Sequence, residues 1–159
     1  MTTIRHYDAK SFTSAESIGY LLKLAHSLIH DNAAAAFEGH ELSFMQWLVL
    51  VKLREGTSTA SELCRVMSHD TGALTRLLDQ LEERGYVGRM RSEADRRVIE
   101  LELTAAGRRK LAELMPLVVD VLNGALGDFS RRDFAEFTRL LKRLIASLRD
   151  MERNREPAS

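Results

Sequence analysis

The sequence has few of the residues that cross-link or rigidify a fold. A single cysteine, Cys64, and only two prolines occur in 159 residues. A lone cysteine cannot form a disulfide within the chain, which excludes a disulfide framework. No apolar run is long enough to span a bilayer, and residues 1–12 are polar and charged, unlike a signal peptide. We therefore expect a cytoplasmic protein without a membrane segment.

The chain also lacks net charge, because 23 basic residues balance 23 acidic ones. A global positive excess, the usual sign of a polyanion partner, is missing. The distribution is uneven, however, since residues 84–97 contain five arginines against two acidic side chains. This local excess indicates a DNA-binding element on a neutral protein. With 45% hydrophobic residues, the chain can bury one substantial core.

Residues 59–104 carry the most informative pattern. Thr59 and Glu62 form a capping-box pattern that predicts a short helix, and Asp70 caps a second helix after a short break. Two short helices around a tight turn are typical of a helix-turn-helix. Leucines of the second helix recur at i, i+3, i+4 and i+7, which predicts one buried and one polar face. These leucines are Leu74, Leu77, Leu78 and Leu81.

A pair of strands follows the second helix. Gly85 suits a helix C-cap, and residues 86–91 and 98–103 are strand-like segments around a charged loop. In the second segment, apolar residues alternate with glutamates, which predicts one buried side. The apolar residues are Ile99, Leu101 and Leu103. A hairpin after a helix-turn-helix indicates a wing.

At these residues the chain resembles the MarR family of bacterial transcription regulators. The segment DTGALTRLLDQLEERGYVGR, residues 70–89, resembles that family's recognition helix and first wing strand. The segment ADRRVIELELTAAG, residues 94–107, resembles its wing signature, in which Asp-Xaa-Arg precedes a strand and Leu-Thr-Xaa-Xaa-Gly. The resemblance is close over residues 43–110. It implies a mainly α-helical winged helix-turn-helix protein, with about six helices and a β-hairpin wing.

Helical periodicity extends on both sides of this unit. The predicted helices cover residues 14–37, 43–54, 104–126 and 130–152. Pro116 should bend the third of them. The last helix has an apolar stripe that the winged unit does not need for its own core, which indicates a partner. We therefore predict a DNA-binding domain over residues 42–104 and a helical dimerisation region formed by residues 1–41 and 105–159.

The resemblance implies a homodimeric repressor that binds a pseudo-palindromic operator in double-stranded DNA. It assigns Arg97 to the minor groove, where a weakly hydrated guanidinium is favoured. It also implies that Asp95 pairs with Arg89 or Arg91 to shape the wing. The predicted DNA-binding residues are Thr59, Ser61, Ser68, His69, Thr71, Gly72, Thr75, Arg76, Arg89, Arg91, Asp95, Arg96 and Arg97. Among them Arg76 is able to reach either guanine or phosphate.

The resemblance further implies release from DNA by a small aromatic or phenolic acid. Aromatic rings can form the walls of such a site, and imidazoles can donate to the carboxylate. The predicted ligand-binding residues are Tyr20, His26, His30, His40, Phe44 and Trp47. No cofactor is expected.

Other interpretations stay open at the level of sequence. A winged helix or a helical adaptor can bind protein instead of DNA. His26 and His30 have metal-ligand spacing, but no second ligand cluster follows in the sequence, so a metal-responsive regulator is the weaker interpretation. Cys64 beside Arg65 allows a redox response, although a packed small residue explains it better. An enzyme is not expected, because no catalytic triad spacing or Gly-rich phosphate loop is visible.

Overall fold

A computed structural model of the chain describes residues 4–56, 59–67, 70–92 and 95–155. Within these residues a short 3₁₀ turn, Ser14–Glu16, precedes six α-helices and two β-strands. The helices are α1 (Ile18–Ala36), α2 (Phe44–Arg54), α3 (Ala60–Met67), α4 (Thr71–Glu83), α5 (Ala105–Ala125) and α6 (Arg131–Arg153). The strands are β1 (Val87–Arg91) and β2 (Ile99–Leu103). This order of elements confirms the predicted mainly helical winged helix-turn-helix.

The chain forms two compact units, Met1–Val121 and Leu122–Ser159. The first unit contains α1 to α4, the hairpin and most of α5, and the second contains the end of α5 and α6. The predicted dimerisation region, residues 1–41 and 105–159, is a functional division that needs a second chain. It therefore stays a prediction.

Side-chain caps fix where the helices begin. The capping box predicted at Thr59–Glu62 forms, and a second capping box forms at Ser43–Gln46. Asp70 accepts hydrogen bonds from two backbone amides in the first turn of α4, as an N-cap should. The first helix begins later than predicted, at Ile18, because the Ser17 hydroxyl accepts from an amide of the next turn and its own backbone is extended.

The hairpin is antiparallel and in register from its base to its outer end. Val87 pairs with Leu103, and Arg91 pairs with Ile99. A further antiparallel bridge joins Thr59 to Glu100, so the start of α3 is attached to β2. The sequence pattern did not predict this bridge, because it links residues far apart in the chain.

The prediction that Ile99 is buried was wrong. Leu101 and Leu103 are buried as the alternation predicted, whereas Ile99 is 46% exposed. Ile99 lies opposite the exposed Arg91 at the outer end of the hairpin. The core ends at Leu101, and an alternating pattern cannot indicate how far along a strand the core extends.

The apolar core lies entirely in the first unit. From α4 it receives Leu74, Leu78 and Leu81, while Leu77 is half-buried. The helix α5 approaches the hairpin closely at Gly107, where an added Cβ would lie 2.2 Å from the carbonyl oxygen of Tyr86. A glycine is therefore required at this contact.

The two long C-terminal helices differ from the core elements. The helix α5 continues through Pro116 without a break. No residue of α6 is buried, although a capping box at Ser130 and Asp133 fixes the start of the helix. In the part of the chain that the structure describes, no helix is both long and apolar enough to cross a membrane.

Candidate DNA-binding surface

The N-terminal half of α4 presents polar side chains to solvent. Thr71, Thr75 and Arg76 are all exposed. The Thr75 hydroxyl donates to the carbonyl oxygen of Thr71 at 2.8 Å, so its oxygen remains an acceptor. An exposed polar surface at the start of the second helix is the part of a helix-turn-helix that reads base edges.

Gly72, which is exposed on α4, leaves part of this surface without a side chain. A Cβ built there would meet only the Asp70 carboxylate, at an ordinary contact distance of 3.6 Å. The fold itself therefore accepts a side chain at this position. Packing within the chain therefore does not require a glycine here, and its absence of a side chain leaves room for another molecule to approach the helix.

The wing loop is shaped by Asp95 through the backbone. Its Oδ1 accepts from the amide of Arg97 at 2.9 Å, and its carbonyl oxygen accepts from the amide of Val98 at 2.9 Å. This is an Asx turn, which an aspartate forms without any ion pair. The predicted pairing of Asp95 with Arg89 or Arg91 was wrong, since the structure has neither ion pair among the described residues.

Arg89 instead joins the wing to the recognition helix. Its Nη2 lies 2.6 Å from Asp79 Oδ1, and its Nη1 lies 2.9 Å from Glu82 Oε2. Both carboxylates belong to α4, and Arg89 lies on β1. The planar guanidinium can hold two carboxylates at once, so this contact sets the position of the helix relative to the hairpin.

The remaining arginines of this surface occupy solvent-exposed positions. Arg76, Arg91, Arg96 and Arg97 are exposed, and none forms an ion pair with another described residue. They lie on α4, at the end of β1 and in the wing loop. Four guanidinium groups with no ion-pair partner among the described residues lie on these elements, which gives a local positive surface although the chain as a whole is neutral.

The remaining predicted DNA-binding residues differ in what they can offer. Ser61 is exposed, whereas Thr59 is half-buried and occupied by its cap and its bridge to β2. Ser68 and His69 lie outside the described residues, as do Glu93 and Ala94 of the wing loop.

A concavity lies where α1 meets the start of α2. It has a volume of about 220 Å³, and its lining includes His30, Phe44 and Met45. The His30 ring packs edge-on against Phe44 with centroids 5.2 Å apart, and His30 Nε2 lies 3.2 Å from Met45 Sδ. Two predicted ligand residues, His30 and Phe44, thus meet here, and the sequence analysis missed Met45.

The other predicted ligand residues do not line this concavity. Trp47 is buried behind it, stacks on Phe44 and donates from Nε1 to the carbonyl oxygen of Leu111 at 3.2 Å. His40 contacts only the edge of the aromatic cluster, through Phe37. Tyr20 and His26 are exposed on α1. A helical spacing places these residues on one element but does not determine which of them face a shared cavity.

The metal and redox interpretations gain little from the structure. Within the described ranges no group of three or more histidine, cysteine, aspartate or glutamate residues could hold a metal ion. Cys64 is half-buried against the core, with Sγ 3.9 Å from Thr71 Oγ1. Its environment is that of a packed small residue.

Comparison with known proteins supports the interpretation of this surface. Residues 42–99 match the family model described as MarR family. The transcriptional repressor MprA of Escherichia coli is 31% identical over 116 residues, which cover 72% of this chain and 65% of MprA. The chain therefore spans slightly less than two thirds of that relative. The multiple antibiotic resistance protein MarR of Escherichia coli is 32% identical over 107 residues, covering 66% of this chain and 74% of MarR.

The fold agrees with that of a solved relative. The crystal structure of a mutant MarR from Escherichia coli complexed with operator DNA is similar with a TM-score of 0.66 and 27% identity. The similarity covers 80% of this chain and 92% of that chain. MprA is named a transcriptional repressor, which agrees with the expectation that the chain is not an enzyme. The winged helix-turn-helix, its sequence matches and this structural similarity together show that the chain belongs to the MarR family.

Proposed function

We propose that this chain is a repressor of transcription that binds a pseudo-palindromic operator as a homodimer. The observation that carries the proposal is a set of four exposed arginines on α4 and the wing, beside the exposed polar start of α4; none of the four has an ion-pair partner in the part of the chain that the structure describes. The names of the relatives support it, since MprA is called a transcriptional repressor and the MarR structure contains operator DNA. The predicted cytoplasmic location is part of this proposal, because the regulator must meet DNA.

Each element has a distinct role in this proposal. The helix α4 enters the major groove, where Arg76 bonds a guanine and Thr71 and Thr75 contact neighbouring base edges or phosphates. Arg97 enters the flanking minor groove, and Arg96 contacts the phosphate backbone. Gly72 lets the sugar-phosphate backbone approach the start of the helix.

The dimer in this proposal follows from the uncovered apolar side chains. The exposed large apolar residues of α1 and α6 include Ile18, Leu21, Leu28, Phe134, Phe137, Leu140 and Leu148. Two copies that cover these faces would present two recognition helices on one side of the duplex, about 34 to 36 Å apart. This separation is what a pseudo-palindromic operator requires.

The proposed effector is a small aromatic acid that binds in the concavity at His30 and Phe44. The Phe44 ring supplies an apolar wall, and His30 can donate to a carboxylate if it releases its contact with Met45. The ligand would favour a dimer whose recognition helices have the wrong separation for DNA. It must therefore bind the free dimer more tightly than the DNA complex.

The DNA-binding proposal is tested by selecting preferred duplexes from a random pool with the full-length protein. We expect Arg97→Ala to weaken binding to the selected duplex by about 1 to 3 kcal/mol per half-site and to lower the salt slope by about one. Arg76→Ala should also relax the base preference at one position of each half-site. The matched control is Arg143→Ala, which removes an exposed arginine of α6. If both wing and helix variants bind like the wild type, the DNA assignment is wrong.

The effector proposal is tested with salicylate as the probe. Trp47 is the only tryptophan and stacks on Phe44, so its fluorescence reports on the concavity. We expect salicylate to change this fluorescence and to weaken operator binding, with both effects reduced in His30→Ala. A fluorescence change without loss of DNA affinity would mean that the concavity binds ligand without acting as a switch. The absence of any response would contradict an aromatic-acid site.

A further inference from the structure

A cluster of polar side chains connects the loop between α1 and α2 to three other elements. Glu41 is its centre. Its Oε1 accepts from the Tyr86 hydroxyl at 2.6 Å, and its Oε2 lies 3.0 Å from Lys110 Nζ. Its carbonyl oxygen accepts from Arg84 Nη1 at 2.7 Å. The partners belong to the end of α4, to the start of the hairpin and to α5, so one residue links the loop between α1 and α2 to these three elements.

A second link runs beside the first through Gln46. This side chain is buried, and its Nε2 donates to Gln80 Oε1 on α4 at 2.7 Å. Its Oε1 accepts from the amide of Ser43 at 3.0 Å and lies 3.5 Å from Arg84 Nη1. The capping box of α2 and the last turn of α4 therefore share one amide group.

These contacts are poorly suited to a mainly stabilising role. The Glu41 side chain is 47% exposed, and exposed ion pairs contribute little to the free energy of unfolding. The contacts do restrict geometry, because both carboxylate oxygens and the backbone carbonyl of Glu41 each have a different partner. Such a set restricts how the end of α4 can rotate relative to α2 and α5.

We propose that Glu41 is a positioning residue that sets the orientation of the recognition helix for specific operator recognition. This inference rests on the proposed DNA-binding function and extends it to a residue that touches no DNA in the proposed complex. Glu41 lies two residues before Ser43, which lines the concavity, and the buried Leu42 lies between them. A displacement of this loop by an occupant of the concavity would therefore reach Glu41 directly.

The inference is tested by comparing affinity for two duplexes. One is the duplex selected from a random pool by the wild-type dimer, and the other has the same composition in scrambled order. We expect Glu41→Ala and Tyr86→Phe each to lower affinity for the selected duplex about three- to tenfold. Affinity for the scrambled duplex and the salt slope should stay unchanged, because no phosphate contact is lost. A loss of stability alone would lower binding to both duplexes equally.

A matched control separates Glu41 from the Lys110 ion pairs in general. Glu113→Ala removes the other carboxylate on Lys110, at 2.9 Å, and leaves the contacts of Glu41 with Tyr86 and Arg84 intact. It should bind the selected duplex like the wild type. The double variant Glu41→Ala/Tyr86→Phe should be no weaker than Glu41→Ala, since both changes break the same contact.

The outcomes distinguish this inference from the proposal beneath it. Wild-type protein that selects no sequence overturns the DNA-binding function. If Arg97→Ala weakens binding while Glu41→Ala and Tyr86→Phe keep the wild-type ratio of the two affinities, only the positioning role is overturned. If Glu41→Ala does not fold, Tyr86→Phe decides the matter, because it removes one hydroxyl and keeps the ring.

Discussion

The winged unit and the last helix use the same kind of hydrophobic pattern with different results. In α4, leucines at helical spacing are buried within the chain. In α6, phenylalanines and leucines at the same spacing leave no residue buried in the single chain. Helical periodicity therefore identifies an apolar face but does not say whether its partner lies in the same chain. The partner of α4 is supplied by the chain itself, and that of α6 is expected from a second copy.

Leaving the apolar face of α6 in water costs a large amount of free energy. Each apolar side chain left in water forgoes about 25 cal/mol per Å² of burial. A row of large apolar residues along a helix of 23 residues exceeds the scattered exposure that monomers tolerate. Covering this face in a dimer would make the stability of the protein depend on its concentration.

The largest expected effect is the loss of the dimer when a charge enters the apolar face of α6. Leu140→Asp places a carboxylate on this face in both copies, where it would be buried without a partner. We expect sedimentation to change from about twice 18.0 kDa toward a monomer or an aggregate. The control Ala146→Asp adds the same charge to the polar face of the same helix and should leave the dimer intact. A wild-type monomer at micromolar concentration would remove the contrast between the two regions.

A smaller effect is expected where α5 packs against the base of the hairpin, within the first compact unit. Gly107→Ala would bring a methyl group to 2.2 Å from the Tyr86 carbonyl oxygen and 2.8 Å from Leu103 Cδ1. We expect the free energy of unfolding to fall by about 1 to 3 kcal/mol, measured by urea denaturation at fixed protein concentration. Gly72→Ala is the matched control, since α4 has room for its methyl group. Equal stability of the two variants would show that α5 does not pack tightly on the hairpin.

The smallest expected effect concerns the polar contacts of Glu41 with Tyr86 and Lys110 in the first compact unit. The hydroxyl of Tyr86 and the ammonium group of Lys110 lower the pKa of the Glu41 carboxyl below 4.5. Because the folded-state pKa is depressed, this carboxylate stabilises the fold above its unfolded pKa, and the contribution is lost as pH falls through the lowered pKa.

Glu41→Gln isolates this contribution, because glutamine keeps an acceptor for Tyr86 and has no charge to titrate. We expect a small deficit in unfolding free energy near pH 7 that disappears in acid well below the ordinary pKa. Urea denaturation over this pH range measures it. A deficit that persists in acid would mean that packing, not charge, is what glutamine disturbs.

The parts of the site that could be predicted depend on short-range patterns. The caps at Thr59, Asp70 and Ser43 accept hydrogen bonds from amides within three residues, so such caps can be predicted from the sequence. The buried leucines of α4 follow from a 3.6-residue period. The exposed arginines of the wing follow from a charged loop between two strands.

The parts that could not be predicted are contacts between distant residues. The sequence does not indicate that Arg89 pairs with Asp79 and Glu82 of α4 and not with the wing residue Asp95, because spacing along the chain does not determine which carboxylate lies beside a long side chain. Nor does alternation in β2 show that burial stops before Ile99. Both results depend on how α4 and the apolar core are placed relative to the hairpin in the folded chain.

By itself, the sequence determined the order and type of the elements, the position of the caps and the family to which the winged unit is similar. Only the tertiary structure decided that Arg89 pairs with Asp79 and Glu82, which ligand candidates share a cavity and that Glu41 contacts three other elements. The physical reason is the distance along the sequence between the residues that interact. Caps and periodic faces arise within one or two helical turns, whereas the hydrogen bond from Tyr86 to Glu41 spans 45 residues and that from Trp47 to Leu111 spans 64. Such contacts exist only after the whole unit has packed.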